Sequence, residues 1–298
     1  MSQTVERLRR RMSSAEELGS VTRTMKGLAA VHVRQFEQAA SVVAEYRQVV
    51  ERGLQIVLRD SPRGGVADRR DSHVAASGLV VLGSNQGLCG PINRRVATHA
   101  RAWRDDRDEP TSRVAAVGVR LAVELEVAGV AVTDRLELPN TLENVAHRSS
   151  QLLVMLDEWR SQEPGLGVWL CFPGYQGRRG GYQPTTRQLL PVSAAWLHDL
   201  ATRPWPTHVL PTSTMPRPAL LAALLRERLL VELHDSLTQT LAAIAASRLA
   251  AMSAAERDIE ERLEALRRQH HRLRQSQITE ELLDFVSGFD VLCSDADT

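Results

Sequence analysis

Apolar side chains recur at steps of three and four at both ends of this chain. Between residues 219 and 287 there is neither proline nor glycine. Within that stretch Leu230, Leu233, Leu237, Leu241 and Ile244 form one stripe, and Ile259, Leu263, Leu266, His270 and Leu273 form another. A helix of that length would rise on the order of 100 Å, far more than an ordinary globular element, and needs a long partner in water. The other end of the chain supplies one. Proline is absent from the start to about Leu58, and Leu8, Met12, Ala15, Gly19, Thr22, Met25, Ala29 and His32 step by four and three. The rhythm resumes at Phe36, Val43, Tyr46, Val50 and Val57. This is the pattern of a coiled-coil seam in which small residues allow close approach. The faces between are dense in charge, as in Glu256-Arg257-Asp258 and Glu260-Glu261-Arg262, where opposite signs three and four apart support a helix.

If these two segments pair, the chain between them must leave and re-enter at one end, which makes the pairing antiparallel. Levelling Leu58 with Pro218 puts Met25 near Ala251 and Leu8 near Arg268. Everything after about Arg274 then extends past the N-terminus as a lone tip. Its Ile278, Leu282, Leu283, Val286 and Phe289 need a partner outside the chain.

The middle has a different period. Residues 77–84, 113–119, 167–172 and 187–192 are short β-branched or leucine-rich runs, and helical stretches span 92–107 and 141–160. At the start of the second helix, Thr141 with Asn144 reads as a capping box that lacks the preferred glutamate. Strands alternating with helices imply a layered domain with a largely parallel sheet. The expected fold class is therefore α/β with a long antiparallel α-helical coiled coil: a central Rossmann-like domain inserted between N- and C-terminal helices. Its expected parts are a discontinuous coiled coil at 1–58 and 218–298, an α/β domain at 75–195, and connectors at 59–74 and 196–217. Residues 61–72 and 203–218 are turn-rich, the second with five prolines, and 174–184 reads as an exposed loop.

The 298 residues carry a net charge of +1, which gives no sign of nucleic acid or of an anionic surface as partner. Cys89, Cys171 and Cys293 lie far apart, arguing for a reducing compartment rather than a disulfide framework. No run approaches the ~18 apolar residues of a membrane span, and the N-terminus lacks the apolar stretch of a secretory signal. A soluble, cytoplasmic protein is expected. Lys26 is the only lysine among 37 basic residues, which reads first as base composition.

Candidate chemistry is thin. GSNQGLCG at 83–90 follows a strand and precedes a helix, as a phosphate cradle would. However, it lacks the terminal Gly-Lys-Ser/Thr, and its glycine spacing is not that of a dinucleotide fingerprint. A structural turn is the favoured reading. Cys89 has no accompanying His or Asp pattern for a nucleophile. His270 and His271 point about 100° apart on a helix with no further ligand nearby. Asp105, Asp106, Asp108 and Glu109 read as a solvated turn. No catalytic residue, cofactor site or metal site is expected.

Three segments resemble one family. Residues 7–35 (RLRRRMSSAEELGSVTRTMKGLAAVHVRQ) are similar to the N-terminal helix of γ subunits of rotary F-type ATP synthases, and 83–93 (GSNQGLCGPIN) to the motif after the first strand of their central domain. Residues 246–288, especially RQSQITEELLDFVSG, are similar to the C-terminal signature, and look most like γ subunits of a second, sodium-associated type. The resemblance implies a non-catalytic central shaft turning inside a head of α and β subunits. Its α/β domain would rest with an ε subunit on a membrane c-ring, on the cytoplasmic side of the inner membrane. Carried onto matching positions, it puts Met25 and Lys26 opposite the lever region of a β subunit, with Arg248 and Met252 at about that height. Arg274, Gln275, Thr279 and Glu281 match polar residues of the tip that contact the head. Gln275 and Thr279 share one helix face, and Arg274 and Glu281 the next.

The chain also departs from the pattern. Asn85-Gln86 stands where the family has Asp-Arg, and Pro91 where it has glycine. Ile244 replaces a commonly acidic residue, and 194–211 fits the ring-contacting foot poorly. Two rivals stand beside the rotor: an α/β nucleotide-binding enzyme with a coiled-coil arm, and a non-rotary coiled-coil scaffold.

Overall fold

A computed structural model describes residues 2–59, 74–177, 181–205 and 213–296. The connector at 61–72, part of the 174–184 loop and the prolines at 206 and 211 lie outside the described residues. The chain divides into two compact units, Met1–Leu28 with Leu249–Thr298, and Ala29–Arg248.

The larger unit is built on a five-stranded sheet. β1 (Ala76–Leu82), β2 (Thr111–Val117), β3 (Asp134–Leu136), β4 (Leu166–Tyr175) and β5 (Tyr182–Leu190) lie in the order β3-β2-β1-β4-β5. The first four are mutually parallel, and β5 returns antiparallel along β4. Val80 of β1 stands level with Ala115 of β2 and Leu170 of β4. β1 is buried on both faces, which is why its sequence reads as an unbroken apolar run rather than an alternating one. α2 (Ile92–Asp105) and α3 (Val119–Val127) cover one face, where Val96, Ala100, Leu121 and Leu125 join Leu79, Val81 and Cys171. On the other face α4 (Glu143–Gln162) turns Val145, Leu152, Leu156 and Trp159 inward. The sheet-unit portions of α1 (Ser2–Arg59) and α6 (Arg217–Ala296) share that core through Phe36, Leu233, Leu237 and Leu241. α5 (Ala194–Thr202) starts from Ser193, whose hydroxyl accepts from the Trp196 amide. It packs Leu197 and Leu200 with Leu54, Leu58 and Val231.

The strands and long helices fall where the sequence puts them, and several details are corrected. The capping box at Thr141 does not form: α4 begins one turn position later with Leu142 at its cap and no side-chain cap bond. Asn144 carries an amide, not the carboxylate that would reach back. α3, β3 and α5 were not expected; α5 lies in the stretch read as a connector. Tyr46, placed in the seam by its spacing, is 48% exposed and donates its hydroxyl to Glu227. Its neighbour Arg47 turns inward instead, to pair with Asp235.

The smaller unit is a helix pair. Leu8, Gly19 and Thr22 are buried and Met12, Ala15 and Met25 half-buried along α1, facing a row of half-buried Ile259, Leu263, Leu266, His270 and Leu273 on α6. The two stretches run antiparallel, because Lys26 pairs with Glu256 and Glu16 with Arg267, while Gly19 faces Ile259. The expected levels for Lys26, Gly19 and Glu16 were 250, 257 and 260, so the register is displaced by two to seven residues toward the C-terminus. Long side chains account for the larger offsets. The Gly19–Ile259 contact, which involves no long side chain, is off by only two.

Candidate functional site

In the smaller unit, Lys26 donates to Glu256 at 2.7 Å, its side chain 42% exposed and that of Glu256 16%. Lys26 is therefore a cross-helix strut with a solvent-facing flank, not a free charge. Met25 beside it is half-buried and Met252 buried, the latter one heptad before Ile259. Met252 can act on an outside partner only through the packing it maintains.

On the outer side of α1, Leu18, Val21 and Leu28 are all more than half exposed and, with Met25, step by three, four and three. This second apolar row was missed in the sequence, because the seam next to it has the same period. Along α6 the half-buried rhythm runs through Leu273 and Gln277 and then stops: 278–283 are exposed throughout, including Ile278, Leu282 and Leu283. Arg274, Gln275, Thr279 and Glu281 are exposed as well. Thr279 donates its hydroxyl to the Gln275 carbonyl at 2.9 Å. Val286 and Phe289 lie beyond the residues whose side chains are described.

In the larger unit Arg248 is half-buried at the end of α6's share. Upstream, α6 carries charges that sequence reasoning also missed. Glu232 and Asp235 are buried between leucines and are matched by Arg187 and Arg47. Gln239 adds a hydrogen bond to Asp235. Unpaired, these carboxylates would be costly. The signal was visible as acids at core positions, but their arginines come from α1 and β5, far off in sequence. Arg228 stacks over Trp196 at 4.2 Å, and burial lowers its pKa despite Glu232 and Glu51. Ile244 is buried in the core and not available to an outside partner.

The 83–90 turn is built of internal bonds. The Ser84 amide donates to Asn93 Oδ1 at 2.9 Å, and Asn93 Nδ2 donates to Ser84 Oγ at 2.7 Å. Asn85 accepts from the amides of Val119 and Leu138 and donates to the Leu138 carbonyl. Gly118, at φ 132, crosses so close to Gly83 that an added Cβ would lie 2.5 Å from the Gly83 carbonyl oxygen. In parallel α/β sheets ligands enter at the carboxyl ends of the strands where the order reverses. Here α6 lies against that end: Ser247 donates its hydroxyl to the Cys89 carbonyl at 2.6 Å, and Ala242, Ala243, Ile244 and Ala245 are buried in the same core cluster as Cys89, Ile92 and Leu82. A groove of about 500 Å³ beside α1 is lined by His32, Phe36, Val42, Thr141 and Glu143, among others, but by no lysine or arginine to hold a phosphate.

Both cysteines of the sheet unit are buried. Burial pushes the Cys171 thiol up to about 12, against a weaker opposing hydrogen bond to Thr186. The His270 and His271 rings meet edge to face with centroids 6.0 Å apart, and no His/Cys/Asp/Glu cluster among the described residues could hold a metal ion. No helix among them is long and apolar enough to cross a membrane. One residue of the turn stands apart. Leu88 has φ 59 and is 61% exposed, a conformation costing a branched L-residue about 1–2 kcal/mol.

Comparison with known proteins gives one answer. A family model described as ATP synthase matches residues 4–292. The chain is similar to the ATP synthase gamma chain of Sinorhizobium medicae, with 26% identity over 302 residues, covering 96% of this chain and 98% of that one. In structure it resembles a chain of the Euglena gracilis mitochondrial ATP synthase, from its OSCP/F1/c-ring assembly in rotational state 3. The TM-score is 0.69 and the identity 13%, covering 100% of this chain and 97% of the other. A chain from the rotor of the same enzyme in rotational state 1 aligns with a TM-score of 0.63 and 12% identity, covering 93% and 100%.

Proposed function

The chain belongs to the ATP synthase family, and from that premise we propose that it is the γ chain, the non-catalytic rotor of the central stalk. It couples ion flow through a membrane ring to ATP synthesis or hydrolysis in a head of α and β subunits, where the catalytic sites lie. The observation that carries this reading is the apolar surface of the helix pair left without cover: Leu18, Val21 and Leu28 on α1, and Ile278, Leu282 and Leu283 on α6. Apolar rows of this length mark a surface made to be enclosed by a partner. Met25, Lys26 and Arg248 face the lever region of a β subunit, Met252 supports them from within, and Arg274, Gln275, Thr279 and Glu281 form the polar band of the tip. A rotor must slide as well as grip, so these contacts are few and individually weak at any angle. The β sites then change affinity with the shaft face they meet, which biases a set of states rather than supplying chemistry.

The other partners in this reading are the ε subunit and the c-ring, on the cytoplasmic side of the cell membrane, and no cofactor is required. The sodium-associated subtype rests on residues 246–288 alone, and the class of α and β subunits that accompanies the chain from its own cells tests it. For the rotor itself, co-expression with α and β subunits should yield one complex holding a single copy of this chain. A chain that purifies free of both would overturn the reading. The enzyme alternative expects ATP or NAD to bind the isolated chain. The helix packed at the strand ends supports the opposite outcome.

A further inference from the structure

Glu232 and Asp235 are buried on a stretch of α6 that also carries Leu233, Leu237 and Leu241. Three donors converge on one oxygen, Asp235 Oδ2. Arg47 of α1 pairs with it, Arg187 of β5 brings its Nη1 to 3.6 Å, and Gln239 donates to it at 2.8 Å. The same Arg187 nitrogen lies 2.6 Å from Glu232, and its guanidinium stands 5.3 Å from the centre of the Phe172 ring on β4. Both long helices and the antiparallel edge of the sheet are thus tied at one point.

Stability alone does not explain this arrangement. Exchanging a buried ion pair for apolar side chains is commonly neutral or stabilising, so a wholly apolar core would hold the fold as well. What charge-assisted hydrogen bonds add is direction. Apolar contact has none, and it lets a helix roll or slide over its neighbour. α1 and α6 each run unbroken from the sheet unit into the helix pair, so a turning force applied to the sheet reaches them through contacts made inside this unit. Another such tie, Arg226 of α6 with Asp157 of α4, is more than half exposed on both sides and weak in water. We infer that Arg47, Arg187, Glu232 and Asp235 are positioning residues for rotary coupling, a keyed joint that carries torque from the sheet to α1 and α6 without slip. The inference rests on the rotor reading and gives a task to residues outside the proposed head contacts.

The test uses the assembled complex, its head anchored and a bead fixed to the c-ring. In one preparation all four charges are removed together (Arg47→Met, Arg187→Met, Glu232→Gln and Asp235→Asn), so that none of the four is left stranded. The angular variance of the resting bead should rise about twofold or more. Coupled ATP synthesis should fall about threefold, while the complex still assembles and hydrolyses ATP. Leu125→Ala, buried on the face of the sheet covered by α2 and α3, is the structural control. It should lower the melting temperature and leave the variance unchanged. Equal variance in the fourfold variant and the parent, or equal widening by Leu125→Ala, overturns this inference and leaves the rotor reading intact. Should the fourfold variant not assemble, Arg187→Met alone, at a side chain 34% exposed, decides the question by the same measurement. No rotation of the ring against the head in the parent complex overturns the rotor reading itself.

Discussion

Asn85 accepts from two amides, Val119 and Leu138, and returns one hydrogen to the Leu138 carbonyl, joining the ends of β1, β2 and β3 through a single carboxamide. Aspartate, which the resembling family carries there, cannot donate and would set a carboxylate oxygen against that carbonyl. Asn85→Asp should therefore cost about 1–3 kcal/mol, read as a lower thermal midpoint. None of this was legible in the motif, because the partners lie 34 and 53 residues away. The glycines advertised a turn but not what closes it. His234 gives a pH dependence with a definite sign. Burial lowers its pKa, and the nearby Asp235 only partly opposes this. Below the ordinary histidine value of about 6.5 the unfolded chain takes up the proton first, so stability contributed at this site is full above that pH and falls as pH drops through it. His234→Gln should flatten the decline in melting temperature between about pH 7 and 5.

Among the elements, the long helices were the most legible, since a period sustained over many turns leaves little ambiguity. The short elements were not. α3 (VRLAVELEV) continues the valine-rich composition of β2, and β3 has three residues, too few to show a period. In α1 the periodicity marked the seam but could not say which of Tyr46 and Arg47 would turn inward; the buried Asp235 decides that from α6. Similarly, spacing alone could not show that Lys26 is tied to Glu256. For that pair a double-mutant cycle with Lys26→Ala and Glu256→Ala should give a coupling of about 0.2–1 kcal/mol that shrinks as salt is added. Zero coupling at low salt would mean that the strut does not steady the helix pair.

Over the whole molecule, the antiparallel pairing and an inserted, largely parallel sheet were readable before any coordinate, because they follow from chain connectivity and long-range pattern; the family was readable from the segments at 7–35, 83–93 and 246–288, and the antiparallel return of β5 was not. The candidate site was readable only in part. Its polar residues came from the resemblance, while the outer apolar row of α1 was hidden by the seam beside it. The tip is where this matters for function. Arg274→Ala combined with Gln275→Ala should lower coupled ATP turnover roughly fivefold. Both side chains are exposed, so subunit stability should move by less than about 0.5 kcal/mol. Undiminished synthesis by the doubly substituted complex would remove those two residues from the coupling surface. The alanine-rich stretch of α6 lodged at the strand ends carries a different consequence. Compounds that poison dinucleotide enzymes enter through the mouth of just such a sheet, and in this chain a helix of its own leans on that doorway, fastened there through Ser247 and Cys89. An inhibitor of this subunit would have to work from outside, by wedging between it and its neighbours.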